Sequence, residues 1–166
     1  KKKIDILDAK LITTALSWIS TPEAILLCGA KPVFIDINPN TFNIDEKKIE
    51  SQISSKTKAI LPVHLYGQPS EILKIKEISQ KHSLYLIEDC AQAHFSKYND
   101  QKVGTFGEIG TFSFYPGKNL GAFGDGGALI TNDTSLAERI RRIANHGSLN
   151  KHDHMIAGIN SRLDGI

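Results

Sequence analysis

Methionine and tryptophan each occur once in this chain, and cysteine only twice. Cys28 and Cys90 are too few for a disulfide scaffold and lack metal-ligand spacing, so reduced thiols in the cytoplasm and no metal site are expected. No charge sign dominates either: 20 Lys and Arg face 18 Asp and Glu, for a net charge of +2. With those charges spread along the chain, no nucleic-acid or membrane partner is expected. The only basic run, Lys1-Lys2-Lys3, reads as a frayed end. Long apolar runs are missing too. None reaches the ~20 residues of a membrane-spanning helix, and no signal-peptide pattern is visible. Repeats and low-complexity linkers are absent, so the 166 residues read as one domain with one core.

What the chain does have is alternation of strand-like and helix-like runs. Strands are expected at 11–16, 32–37, 58–65, 84–89, 109–115 and 128–131. Ser20-Thr21-Pro22-Glu23 supplies a cap, a first-turn proline and an acid, opening a helix that Gly29 ends. A short polar helix is expected over 43–53. The stripe Ile72, Ile75 and Ile78 marks another over 70–82, and 134–145 reads as a basic amphipathic helix. A small hairpin is expected around Asn99-Asp100. The pattern predicts a three-layer α/β/α fold, a mostly parallel sheet covered by helices on both faces.

The residues from Gly110 to Gly127 stand out. An alternating apolar strand is stopped by Pro116-Gly117; Lys118 follows at once, and Gly121, Gly124, Gly126 and Gly127 come soon after. A lysine placed where water is scarce is a residue type that attacks carbonyls as an amine, and glycines let backbone approach a flat ligand. Two phosphate motifs are excluded. A P-loop would need glycine where Phe112 stands and Ser or Thr where Asn119 stands. A dinucleotide fingerprint starting at Gly124 would need glycine at Leu129. The second notable stretch is Leu84 to His94, a buried strand closing on Asp89, and the carboxyl end of a strand is where open α/β sheets place ligand contacts.

Together these stretches resemble the DegT/StrS-type sugar nucleotide aminotransferases, a branch of the fold-type-I enzymes that use pyridoxal 5'-phosphate (PLP). The matching pieces run in order over nearly the whole chain: 13–18, 29–34, Pro62-Val63-His64-Leu65-Tyr66-Gly67, 88–94, 110–127 and Asn160-Ser161-Arg162-Leu163-Asp164. The resemblance implies a PLP-dependent transferase-like large domain acting on a nucleotide-linked keto-sugar, with glutamate as amino donor. Lys118 would hold the cofactor and move the proton, and Asp89 would pair with its ring nitrogen. Trp18 would stack on the ring, Gln92 would touch the ring hydroxyl, and Ser113, which points away from Phe112 and Phe114, would bind phosphate. Asn160 would reach the cofactor phosphate of a neighbouring subunit, implying a homodimer with shared sites. Arg162 would take a carboxylate of glutamate or of the sugar. His64 would shape the site, while His152-Asp153-His154 is a polar loop rather than a metal site.

The chain departs from that family in three ways. Phe95 stands where glycine usually follows the Ala-His pair, and is expected to crowd the turn. Relatives begin well before Lys1, with a phosphate-binding loop, and continue past Ile166 into a smaller domain. Residues 1–166 are therefore expected to be the PLP-binding core of the large domain. Two rivals remain. Sugar dehydratases of the same family carry histidine in place of the lysine, which Lys118 argues against. The other is an inactive remnant serving oligomerisation or regulation.

Overall fold

The computed structural model describes residues 6–163, so Lys1-Lys2-Lys3 and Asp164 lie outside the described residues. The backbone of the fold is a six-stranded sheet in the order β2-β1-β3-β4-β7-β8. Its strands are β1 (Lys10–Thr14), β2 (Lys31–Ile35), β3 (Thr57–Leu61), β4 (Tyr85–Asp89), β7 (Ile109–Ser113) and β8 (Gly127–Ile130). The first five in that order pair in parallel, and β8 returns antiparallel along β7. Two-residue strands β5 (Lys97–Tyr98) and β6 (Gln101–Lys102) make the hairpin expected around Asn99-Asp100. Both turn residues take left-handed φ, 46° and 65°, the geometry of a type I′ turn.

Period-two side-chain alternation decides what each face of the sheet buries. Leu11 and Leu61 point toward Ile25 of α1 (Ser20–Leu27), packing with Ala9 and Ala30. Their neighbours Ile12 and Ile60 point the other way, into a larger core with Ile35, Leu86 and Phe106. Ile72 and Ile75 of α2 (Ile72–Lys81) close that core. Helices thus cover both faces, as the alternation predicted. The third helix, α3 (Thr134–Ala144), is capped by Asp133, whose carboxylate accepts from the Leu136 amide.

Two local expectations need correction. The segment 43–53 is not one helix but two three-residue 3₁₀ turns, Glu46–Lys48 and Glu50–Gln52. Asp45 takes the Lys47 amide with its side chain, and buried Ile44 and Ile49 with half-buried Ile53 pin the segment to the core. Short turns tolerate such anchoring where a continuous helix would not. The Ser20-Thr21 pair does not cap α1 either; no side chain caps that helix, and the Thr21 hydroxyl goes elsewhere.

Chain order reverses at β1, which is flanked by β2 on one side and β3 on the other. In open α/β sheets a crevice opens outside the carboxyl ends of the strands at such a switch point. The segments leaving β1, β3, β4 and β7 all meet there.

Candidate active site

A cleft of ≈ 760 Å³ opens at these strand ends. After β1 it is lined by Ser17 and Trp18, after β3 by Leu65 and Tyr66, at the end of β4 by Asp89 and Gln92, and from β7 by Ser113 and Lys118. Such a volume holds a small organic ligand. Trp18 is 75% exposed, so it belongs to the wall of the cleft and not to the core. Lys118 sits half-buried in a tight loop, its amide bonded to the Tyr115 carbonyl at 2.8 Å. The loop closes at Gly121, where an added Cβ would stand 2.3 Å from the Pro116 carbonyl oxygen. Any larger residue there would displace the turn that presents Lys118.

Asp89 is held at both oxygens. Oδ1 accepts from the Ala91 amide at 3.0 Å, and Oδ2 accepts from the Thr21 hydroxyl at 3.0 Å. Each oxygen keeps further acceptor capacity toward the cleft. Gln92 Oε1 accepts from the Tyr66 amide at 2.9 Å, which leaves its NH₂ group as the end free to donate. Ser113 Oγ accepts from the Tyr115 amide at 3.2 Å, and its proton remains available. Tyr66 is itself unusual: 84% exposed, with φ 52° and ψ 26°. A non-glycine residue held there at a cleft wall is the kind of strain found at functional sites.

Asn160 and Arg162 are exposed and do not line this cleft. Asn160 lies beside Asn145 in an isolated bridge, next to the end of α3. Phe95, expected to crowd its turn, points outward and is 68% exposed; the cost there is instead its φ of 65°.

Directly behind Asp89, Glu88 forms a clamp that sequence reasoning missed. Its side chain is fully buried, and Oε1 accepts from the amides of Phe106 and Gly107 at 2.7 and 2.8 Å. Oε2 accepts from the Gly104 amide at 2.7 Å and lies 3.1 Å from His64 Nε2. Ser70 donates its amide to His64 Nδ1 at 3.0 Å, so the ring proton sits on Nε2 and points at Glu88. Burial pushes the Glu88 carboxyl up, but the bonds from His64 and from the Gly107 and Gly104 amides outweigh it and hold the group below its ordinary value. His64, Glu88 and Cys90 have donor atoms close enough for a metal. Those of Glu88 and His64 are already committed to these hydrogen bonds, and burial with the two neighbouring carboxylates pushes the Cys90 thiol far up. A polar residue in an otherwise apolar strand was the available signal for Glu88. Its amide partners, sixteen to nineteen residues away, were not readable.

The fold is that of the α/β large domain of PLP-dependent aminotransferases. It superposes with a TM-score of 0.89 on NtdA from Bacillus subtilis, solved with bound cofactor PMP; identity is 38%, over 95% of this chain and 36% of that one. The chain belongs to the DegT/DnrJ/EryC1/StrS aminotransferase family, whose model matches residues 3–166. It is 53% identical over 155 residues to the pleiotropic regulatory protein of Geobacillus stearothermophilus. It is 48% identical over 155 residues to the UDP-N-acetyl-3-dehydro-alpha-D-glucosamine 3-aminotransferase of Acidithiobacillus ferrooxidans. In both cases the match takes in 93% of this chain and 42% of the relative.

Proposed function

We propose that this chain is the cofactor-binding core of an aminotransferase that uses PLP and passes an amino group from glutamate to a nucleotide-linked keto-sugar. The observation that carries the reading is the convergence of Lys118 and Asp89, from the ends of neighbouring strands β7 and β4, on one cleft. When bound, PLP withdraws electrons from the substrate carbon and so lets its proton leave. Lys118 holds the cofactor and carries that proton as an amine. Asp89, with acceptor capacity left over from Thr21 and Ala91, faces the ring nitrogen. Trp18 walls one side of the ring. The NH₂ of Gln92, left free by the Tyr66 amide on Oε1, would meet the ring hydroxyl, and the Ser113 hydroxyl, which accepts from the Tyr115 amide, would donate to the phosphate.

The sugar substrate is supported by the relative from Acidithiobacillus ferrooxidans, whose name specifies such a reaction. Glutamate rests on Arg162, whose planar fork suits a carboxylate. Arg162 and Asn160 lie outside the cleft of their own chain, which fits a homodimer in which Asn160 serves the partner's cofactor. A second reading, a regulatory module without catalysis, is favoured by the name of the Geobacillus stearothermophilus relative.

The test is to add PLP to the protein as its gene encodes it, record the visible band, reduce with borohydride and map the adduct by mass spectrometry. The adduct is expected on Lys118. Lys118→Ala should abolish it without unfolding the protein, and Lys118→Arg should fail as well, since guanidinium does not lose its proton. An adduct on another lysine would sink the assignment, and no adduct at all would favour the regulatory reading.

A further inference from the structure

Two hydroxyls stand behind Asp89 in a line. Thr21 Oγ1 is 3.0 Å from Asp89 Oδ2, and Ser17 Oγ is 2.7 Å from Thr21 Oγ1. A carboxylate can only accept, so the Thr21 proton is committed to Asp89. Thr21 then has only lone pairs to offer Ser17, and Ser17 must donate. The result is a one-way chain, Ser17 to Thr21 to Asp89, running from the wall of the cleft to its carboxylate.

Neither hydroxyl is explained by the fold. Thr21 is buried in the first turn of α1, where a hydroxyl would ordinarily cap, yet no side chain caps this helix. Valine has nearly the same shape and would fill the same volume. What only a hydroxyl adds is the bond to Oδ2. The other oxygen is fixed by the Ala91 amide from β4's own loop. Together the two contacts set the carboxylate plane from two elements, α1 and the loop after β4.

We propose that Thr21, backed by Ser17, is a positioning residue that fixes the orientation and acceptor state of Asp89 toward the ring nitrogen of the cofactor. The proposal deepens the PLP reading above and rests on it. Without the Thr21 bond the carboxylate can rotate about its terminal torsion, which is broad for aspartate. It can also take up water at Oδ2, and either change weakens its bond to the ring.

The experiment compares wild type, Thr21→Val, Thr21→Ser, Ser17→Ala and Asp89→Asn, far below the melting temperature of each, with PLP titrated in for affinity and saturating for the other readouts. PLP affinity, the pH midpoint of the visible band of the lysine-bound cofactor, and the split of kcat from KM for the amino donor are read for each. Thr21→Val should weaken PLP binding roughly tenfold to a hundredfold, the span for one hydrogen bond to a charged group. It should also move the band's pH midpoint in the same sense as Asp89→Asn, and lower kcat more than it changes KM. Thr21→Ser should restore all three, while Ser17→Ala should give a smaller shift of the same sign. A merely packed threonine predicts the reverse: Thr21→Val silent in the band's midpoint and Thr21→Ser no better. That pattern, with Asp89→Asn still strongly affected, would overturn the proposal and leave the PLP reading standing. If Asp89→Asn is also silent, the assignment of Asp89 falls and takes this proposal with it. Should Thr21→Val not fold, Thr21→Ser and Ser17→Ala still decide. A normal midpoint in Thr21→Ser with a shifted one in Ser17→Ala supports the chain, and an unshifted Ser17→Ala overturns it.

Discussion

Glu88 shows how much one buried residue organises around the site without touching a ligand. It holds the loop 104–107 through three amides and holds His64, which in turn takes the Ser70 amide. Glu88→Gln would place an NH₂ group against at least one of those amides. Losing charge-assisted bonds and opposing donors in a fully buried place should cost about 3 kcal/mol. The pH dependence follows from the direction of the shift. The folded group lies below its ordinary 4.5. Its stabilisation is therefore complete above the unfolded value and is lost as pH falls through the folded one. Urea unfolding of wild type and Glu88→Gln should show a wide gap at pH 7 that narrows steadily below pH 4.5. A gap that does not change with pH would mean that shape and not charge holds the clamp. Lys118 and Asp89 were singled out in the sequence by their places after apolar strands and by the family resemblance, and the fold brings both to one cleft. Glu88 and Thr21 were not, since the loop 104–107 that Glu88 holds and the Asp89 that Thr21 meets are brought to them only by the fold, and their residue types have commoner uses, a solvated acid and a helix cap.

Among the elements, legibility followed local chemistry. Asn99-Asp100 signalled a two-residue turn because both residues accept left-handed backbone, and the hairpin formed there. The stripe of Ile72, Ile75 and Ile78 signalled α2 because helical period and core contact agree. The segment 43–53 misled, because its composition suits a helix while its isoleucines answer to a core that sequence does not display. Phe95 is the informative intermediate case. Its φ of 65° costs roughly 1–2 kcal/mol for an L-residue. Some of that is offset by the Lys102 ammonium 5.8 Å from its ring, worth about 0.5 kcal/mol at an exposed place. Glycine would remove the strain and forfeit the ring contact, with a further loss in chain entropy. Phe95→Gly is expected to raise stability by about 0.5 kcal/mol net, seen as a rise of roughly 1–2 °C in melting temperature. A fall would show that the Phe95–Lys102 contact outweighs the backbone strain.

For the whole molecule, alternating strands and helices predicted a parallel sheet with a crevice at its strand ends, and the order β2-β1-β3-β4-β7-β8 supplies one. The order itself was not legible: nothing in a strand's composition says on which side of β1 the next one docks. The surface of the assembled fold carries the last prediction. Large apolar side chains stand open around and beyond the cleft, including Trp18, Leu27 at 88% exposure and Phe123 at 92%. Apolar surface of that kind favours association. The cleft lining is equally telling. Among the residues described there, Lys118 is the only cation, and it shares the space with Asp89 and Asp125. Once Lys118 and Asp89 are both taken up by the cofactor, a phosphate dianion would meet neutral donors and the Asp125 carboxylate, with no cationic side chain of the cleft left to balance it. Tight phosphate binding ordinarily adds a helix N-terminus or a charged partner. Residues 1–166 produced as an isolated polypeptide should therefore self-associate at micromolar concentration, bind PLP weakly if at all, and turn over no keto-sugar nucleotide with glutamate. Light scattering, equilibrium dialysis with PLP and an assay over a panel of such sugars check the three parts. A monodisperse polypeptide that holds PLP tightly and transaminates would require a phosphate cradle within these residues, built from groups other than Ser113 and Asn160.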